Sequence, residues 1–198
     1  KLQGYINGDM HLVNGFSQEI LGEDKFIKPE IYLTENELDE AEQFIKSVDK
    51  PVILFQPFGS TGGKSRDGKT IMQDSSFRSL PIDFAKKLYD KLSDKYQVVF
   101  IRSPDQASPS EKWMTMPNMP LRKIISLIPY VHAVIGVDSS IQHACASLNK
   151  KAIVFWGSTN SNQLGYDTNL NFEGQVRKIQ YNPVRVPGND YDVEKRYK

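Results

Sequence analysis

The chain has 198 residues, 39% hydrophobic and 25% charged, with 25 Lys and Arg against 24 Asp and Glu for a formal net charge of +1. That length supports one substantial domain, with or without a remnant of another, and the even charge balance argues against a nucleic-acid footprint or a polybasic membrane anchor. A single cysteine, Cys145, rules out an intramolecular disulfide, nothing resembles a signal peptide, and no apolar run is long enough to span a bilayer.

The first residue is Lys1 rather than Met, which fits a fragment of a longer protein. A missing targeting segment then says little about the parent. Residues 1–24 are rich in Gly, Asn and Asp without a sustained period, and read as a linker or the end of a preceding domain; residues 25–198 read as the folded domain. Glu30 to Leu33 suggests a short strand. Thr34 and Glu37 form a capping-box pattern, after which Leu38, Ala41, Ile45 and Val48 repeat at helical spacing until Asp49-Lys50-Pro51. Val52 to Phe55 is a short apolar run, read as a buried strand.

A long polar loop follows over residues 57–80; loops of this length are usually functional or disordered. Pro81 fits the first turn of a helix whose apolar face is Phe84, Ala85, Leu88 and Leu92. Val98 to Ile101 is the next strand, and residues 103–120, with four prolines, form another loop. Leu121 to Ile128 is a short helix, Ala133 to Val137 a strand, Ile141 to Leu148 a helix and Ala152 to Trp156 a strand. Cys145 falls on the apolar side of its helix and reads as a small core residue. Beyond Gly157 the pattern weakens, and from Gln175 the chain is charged and irregular.

Short apolar strands alternating with helices predict an α/β fold, a Rossmann-like parallel sheet with helices on both faces. Ligands in such sheets bind beyond the carboxyl ends of the strands. Those ends carry Gln56-Pro57-Phe58-Gly59-Ser60, Arg102-Ser103, Asp138-Ser139 and Gly157-Ser158-Thr159.

Asp138-Ser139-Ser140 precede a helix, so they suit capping. They equally suit anion binding, because a helix N-terminus presents free N–H groups. His143 lies near the start of the same helix, with Ser140 and Ser147 on its face. A helix N-terminus disfavours a protonated imidazole, so a neutral His143 donating a hydrogen bond is expected. His11 and His132 have no comparable setting, and no His, Cys or carboxylate cluster has metal-ligand spacing.

The segment "GSTGGKSRDGKT" requires a separate reading. Gly63 to Thr70 formally matches the phosphate-loop pattern, which makes a nucleotide hydrolase using Lys69 and Thr70 an alternative. That motif should follow its strand at once and open into a helix. Here the strand ends well before Gly63, and residues 71–76 have little amphipathic pattern. A solvated basic loop and a lid whose lysines reach a diphosphate are the other readings.

"AVIGVDSSIQHACASLNKKAIVFWGST" resembles the strand, Asp-Ser/Thr-Gly, His-containing helix, strand and Gly-x-Thr of family 9 glycosyltransferases, the group that includes bacterial heptosyltransferases. "VILFQPFGS", "RSLPIDFAKKLYDKL", "MPLRKIISLIPYVHAVIGVD" and "KPEIYLTENELDEA" are similar to further segments of that family's C-terminal, donor-binding half. The resemblance covers about Lys28 to Thr159. The chain departs from the pattern at Ser140, where Gly is usual, at Leu80, where Trp is usual, and in a longer Thr61–Phe77 loop.

The resemblance implies one half of a GT-B fold and an inverting transfer, without metal or cofactor, from a nucleotide-diphosphate sugar to a glycan or lipopolysaccharide-type acceptor. Asp138, Ser139, Ser140 and His143 would then meet the donor sugar and diphosphate, and Gly59 and Ser60 the phosphate turn. Arg78 would balance the leaving diphosphate, and Met119 would line the nucleobase pocket. The catalytic base and the acceptor would belong to an N-terminal domain that this chain lacks. A bacterial enzyme, cytoplasmic or peripheral at the inner face of the membrane, is implied. A non-catalytic nucleotide-binding module remains a second alternative.

Overall fold

The computed structural model describes residue 4 and residues 8–59, 62–64, 70–74, 78–103, 106–116, 119–157 and 159–173, with 62–64 and 70–74 as backbone only. Ser60, Lys69 and Ser158 fall outside the described residues. The helices are α1 (Leu12–Leu21), α2 (Glu35–Lys46), α3 (Ile82–Ser93), α4 (Leu121–Leu127), α5 (Ser140–Ser147) and α6 (Ser161–Leu164). The strands are β1 (Val52–Gln56), β2 (Gly62–Lys64), β3 (Thr70–Asp74), β4 (Gln97–Phe100), β5 (Met114–Thr115), β6 (Ala133–Val137), β7 (Ala152–Trp156) and β8 (Leu170–Glu173).

Six strands form one parallel sheet in the order β5-β4-β1-β6-β7-β8. The expected Rossmann-like sheet is therefore present. Its central strands are continuous apolar runs because both faces are covered. On one face Val52, Leu54, Val134 and Val154 pack with Ala41, Ile124, Ile141 and Ala144 of α2, α4 and α5. On the other, Ile53, Phe55, Val98, Phe100 and Ile135 pack with Ala85 and Tyr89 of α3. Trp113 anchors this second face, stacked on Tyr89 at 4.4 Å between ring centroids. The Tyr89 hydroxyl donates to the Val98 carbonyl (3.2 Å) and accepts from the Met114 N–H (2.9 Å), tying α3 to β4 and β5.

The capping box is present: the Thr34 side chain accepts from the Glu37 N–H, and the Glu37 carboxylate accepts from the Thr34 N–H. Arg122 of α4 binds the same carboxylate and donates to the Tyr32 carbonyl at 2.8 Å, joining α4 to α2 and the segment before it. With Arg122 as the main cause, the Glu37 carboxyl is held down at about 2.

Several local expectations need correction. Residues 12–21 form helix α1, although no period was legible there; its Phe16, Ile20 and Leu21 are exposed, so it is not patterned against this core. Glu30 to Leu33 forms no strand. Phe84 is largely exposed, and Tyr89 takes the buried position on α3. The weak region beyond Gly157 contains α6 and β8, whose four exposed residues are held by pairing with β7. In the loop of residues 57–80, β2 and β3 form an antiparallel hairpin with Lys64 opposite Thr70. Thr70 thus begins a strand, not the helix that a phosphate loop requires.

Candidate functional site

The sheet order determines where a ligand crevice falls. From β1 the chain crosses to β4 on one side, then returns to β6 on the other. Strand order reverses at the β1–β6 boundary, and such switch points open a crevice beyond the carboxyl ends. Gln56 ends β1, and Asp138 and Ser139 follow β6. The Ser139 hydroxyl donates to Gln56 Oε1 at 2.7 Å, linking the two strand ends.

Ser139 occupies the N-cap position of α5 in an extended conformation, but its side chain makes no capping bond. Its hydroxyl donates to Gln56 and accepts nothing from the helix. The first turn of α5 therefore keeps N–H groups without a cap side chain, an arrangement suited to an anion. Capping by Ser139, the simpler reading of this sequence, is absent. Ser140 is the exposed first residue of the helix.

Asp138 is buried, at 5% exposure. Arg78 reaches it from the segment ahead of α3: its NH1 donates to the Asp138 carbonyl at 3.2 Å and lies 3.9 Å from Oδ2. The Gly59 N–H donates to Ser79 Oγ at 3.0 Å, and the Gly59 carbonyl accepts from Gln106 Nε2 at 3.4 Å. Arg102 NH1 in turn donates to the Gln106 carbonyl at 2.6 Å. Gly59, Arg78, Asp138 and Ser139 thus stand along one sheet edge beside Gln56, with Ser79 and Gln106 as supports that the sequence did not single out. Met119 stands apart from these contacts, partly buried against the core cluster under α2 and α4.

His143 lies within α5. Its Nδ1 shares a 2.8 Å hydrogen bond with the Tyr166 hydroxyl, and the ring meets Tyr166 edge-on. Burial pulls its pKa below 6.5, while the Asp138 charge pulls the other way. Neutrality thus comes first from burial, where the sequence had suggested the helix terminus. The adjacent Gln142 is fully buried; its amide donates to the Leu164 carbonyl at 2.9 Å and accepts from Asn169 Nδ2 at 3.2 Å.

His11, passed over in the sequence, shares this setting. As N-cap of α1 it accepts from the Val13 N–H at 3.2 Å through Nδ1. Its ring centroid is 5.5 Å from that of Tyr166. Burial lowers its pKa most, the Gly165 carbonyl raises it, and the proximity of His143 lowers it further. Tyr166 therefore lies between two imidazoles. Nothing local in the sequence signals this, because Tyr166 follows His11 across the whole sheet. Burial also pushes the Cys145 thiol up to about 12, in keeping with a core residue.

The doubly covered parallel sheet, with acid, arginine and uncapped helix at its switch point, defines a Rossmann-like α/β domain. A family-wide sequence model, glycosyltransferase family 9 (heptosyltransferase), matches residues 13–172, and the chain belongs to that family. A glycosyl transferase family 9 structure from Veillonella parvula DSM 2008 superposes with a TM-score of 0.57 at 17% identity, covering 81% of this chain and 46% of that one. An E. coli ADP-heptose LPS heptosyltransferase II structure superposes with a TM-score of 0.51 at 18% identity, covering 83% and 51%. At these identities the likeness establishes the fold, and the chain spans about half the length of either structure. A search of curated protein sequences finds no match.

Proposed function

We propose that this chain is the donor-binding half of a glycosyltransferase that moves a sugar from a nucleotide diphosphate to a glycan or lipopolysaccharide-type acceptor. The observation that carries the proposal is the switch-point edge, where the uncapped start of α5 lies beside the Arg78–Asp138 pair. A diphosphate seated there gains N–H donors from the helix and a guanidinium held in place by Asp138.

In the transfer, an acceptor hydroxyl oxygen attacks the anomeric carbon from the face opposite the diphosphate. The new C–O bond forms as the sugar–diphosphate bond breaks, and the configuration inverts. The acceptor proton passes to a carboxylate general base, which this reading assigns to the N-terminal half of the complete enzyme. The nucleoside diphosphate leaves with its added charge facing Arg78 and the helix N–H groups. Ser139 and Ser140 meet the donor beside them, Gly59 and Ser60 line the phosphate turn, and Met119 borders the base. The neutral His143 lies next along α5, toward the sugar. Because the balancing cation is an arginine, binding is expected without a metal ion. No helix among the described residues is long and apolar enough to cross a membrane. The proposed setting is cytoplasmic, with the acceptor reached at the membrane's inner face.

The test is calorimetry of ADP, UDP and GDP against the 198-residue chain, with and without magnesium. Binding of at least one nucleoside diphosphate, little changed by magnesium and without sugar transfer by this chain alone, is expected. Absence of affinity for all three would favour a non-catalytic module. Binding that requires magnesium and fails on Lys69→Ala would overturn the reading in favour of a phosphate-loop enzyme.

A further inference from the structure

Beyond the switch-point edge, a cavity of about 510 Å³ opens between the N-terminal segment and the β7–β8 connection. It reaches Ala146 near the far end of α5, whereas the strand-end site lies at the start of that helix. One side is aromatic. His11 lies edge-on to Phe26 with ring centroids 5.1 Å apart, and Phe26 is edge-on to Tyr166 at 6.2 Å. The other side carries Asn162, Asp167 and Thr168.

These linings narrow the class of ligand. A lipid chain needs an apolar rim, which the amide, carboxylate and hydroxyl deny it. A phosphate needs concentrated positive charge. The one lysine among the described residues lining the cavity, Lys28, hydrogen-bonds the Asn149 side chain, and the Asp167 carboxylate repels an anion from the same rim. A neutral ligand with an apolar ring face and many hydroxyls suits both sides. Its C–H face lies on aromatic rings, and its hydroxyls meet groups that both donate and accept. The volume falls in the range of small-molecule pockets.

We propose that this cavity is a second ligand site, separate from the nucleotide edge, that takes a neutral sugar ring. Tyr166 joins the two sites: its ring walls the cavity, and its hydroxyl holds His143 Nδ1. A sugar seated against Tyr166 therefore touches the residue that orients the His143 imidazole.

The probes are methyl glucoside, methyl mannoside, methyl galactoside and maltose, titrated into the 198-residue chain and followed by saturation-transfer NMR, with adenosine and inorganic phosphate as controls. The expected result is binding of at least one saccharide with a dissociation constant on the order of 1 mM. Phe26 is 43% exposed outside any helix or strand, so Phe26→Ala leaves the fold intact, as an unchanged melting temperature would verify. That variant is expected to weaken the saccharide about tenfold or more through the lost ring face, with nucleoside diphosphate affinity unchanged. Tyr166→Phe keeps the wall and should retain the saccharide. Binding of none of the four sugars, preference for adenosine or phosphate, or saccharide binding indifferent to Phe26→Ala would each overturn the proposal. Loss of nucleotide binding in Arg78→Ala with sugar binding retained would support two separate sites; joint loss would overturn that separation.

Discussion

Replacing Arg78 by alanine tests the centre of the site most directly. Its guanidinium donates to the Asp138 carbonyl at 3.2 Å and sits 3.9 Å from the carboxylate, and the two side chains are only 14% and 7% exposed. At that separation and an effective dielectric of about 20, the attraction alone is worth about 4 kcal/mol. Burial costs both charges part of that sum, but removing one partner leaves the other buried without compensation. Such losses run to about 3–5 kcal/mol for close pairs. The 3.9 Å spacing is at the outer limit of a contact, so Arg78→Ala should cost about 2–3 kcal/mol. For a chain of this size that lowers the melting temperature by about 4–12 °C. Urea unfolding of Arg78→Ala, Asp138→Ala and the double variant should give a coupling energy of at least about 1 kcal/mol. The same Arg78 variant should weaken nucleoside diphosphate binding by about 1.5–3 kcal/mol, more than Lys69→Ala does. A coupling near zero, together with nucleotide affinity untouched, would refute the role given to Arg78.

Three further outcomes follow from the geometry. Gln142→Leu leaves the Leu164 carbonyl and the Asn169 amide without a buried partner; at about 1–3 kcal/mol for each such group, urea unfolding should show a loss of about 2–4 kcal/mol, and a loss below about 1 would mean that the amide is replaceable. His11 and His143 both have folded pKa values below the ordinary 6.5, so the unfolded chain takes up protons first. Stability should be complete above about pH 6.5 and fall as the pH drops below it; urea midpoints in His11→Gln should show a shallower fall, and an unchanged slope would contradict the assignment. Glu37, held at about 2 against its usual 4.5, adds a second loss as the pH falls from 4.5 toward 2, which Arg122→Ala should reduce in the same titration.

The sheet was legible because its strands are buried on both faces. Val52 to Phe55, Ala133 to Val137 and Ala152 to Trp156 are short apolar runs with no solvent-facing residue to break them, and they emerge within a residue of where they were expected. Helix α2 was legible from a local device, the reciprocal bonds of Thr34 and Glu37. What could not be read depends on partners remote in sequence. The strand Leu170–Glu173 has no buried residue and exists through its register with Ile153 to Trp156. Helix α1 exposes Phe16 and Ile20, so its pattern answers to no surface of the described core.

The same distinction separates two kinds of site residue. Ser139 was found because it follows an apolar strand and precedes a helix, a position where capping and ligand binding look alike in one dimension. The structure separates them: the hydroxyl donates to Gln56 across the β1–β6 crevice and accepts no hydrogen bond from its own helix. Asp138 was found by the same position, yet its described ion-pair partner is Arg78, on another segment and 60 residues away. Burying a charge is costly unless an opposite charge or hydrogen bonds accompany it. Asp138 therefore places a guanidinium at the mouth of the helix, and the acid's contribution to anion binding runs through the base that it holds. This order of action predicts that Asp138→Asn, which keeps the backbone carbonyl that accepts from Arg78, should weaken nucleoside diphosphate binding less than Arg78→Ala. Calorimetry of the two variants side by side decides the point: a greater loss in Asp138→Asn would mean that the carboxylate touches the donor itself.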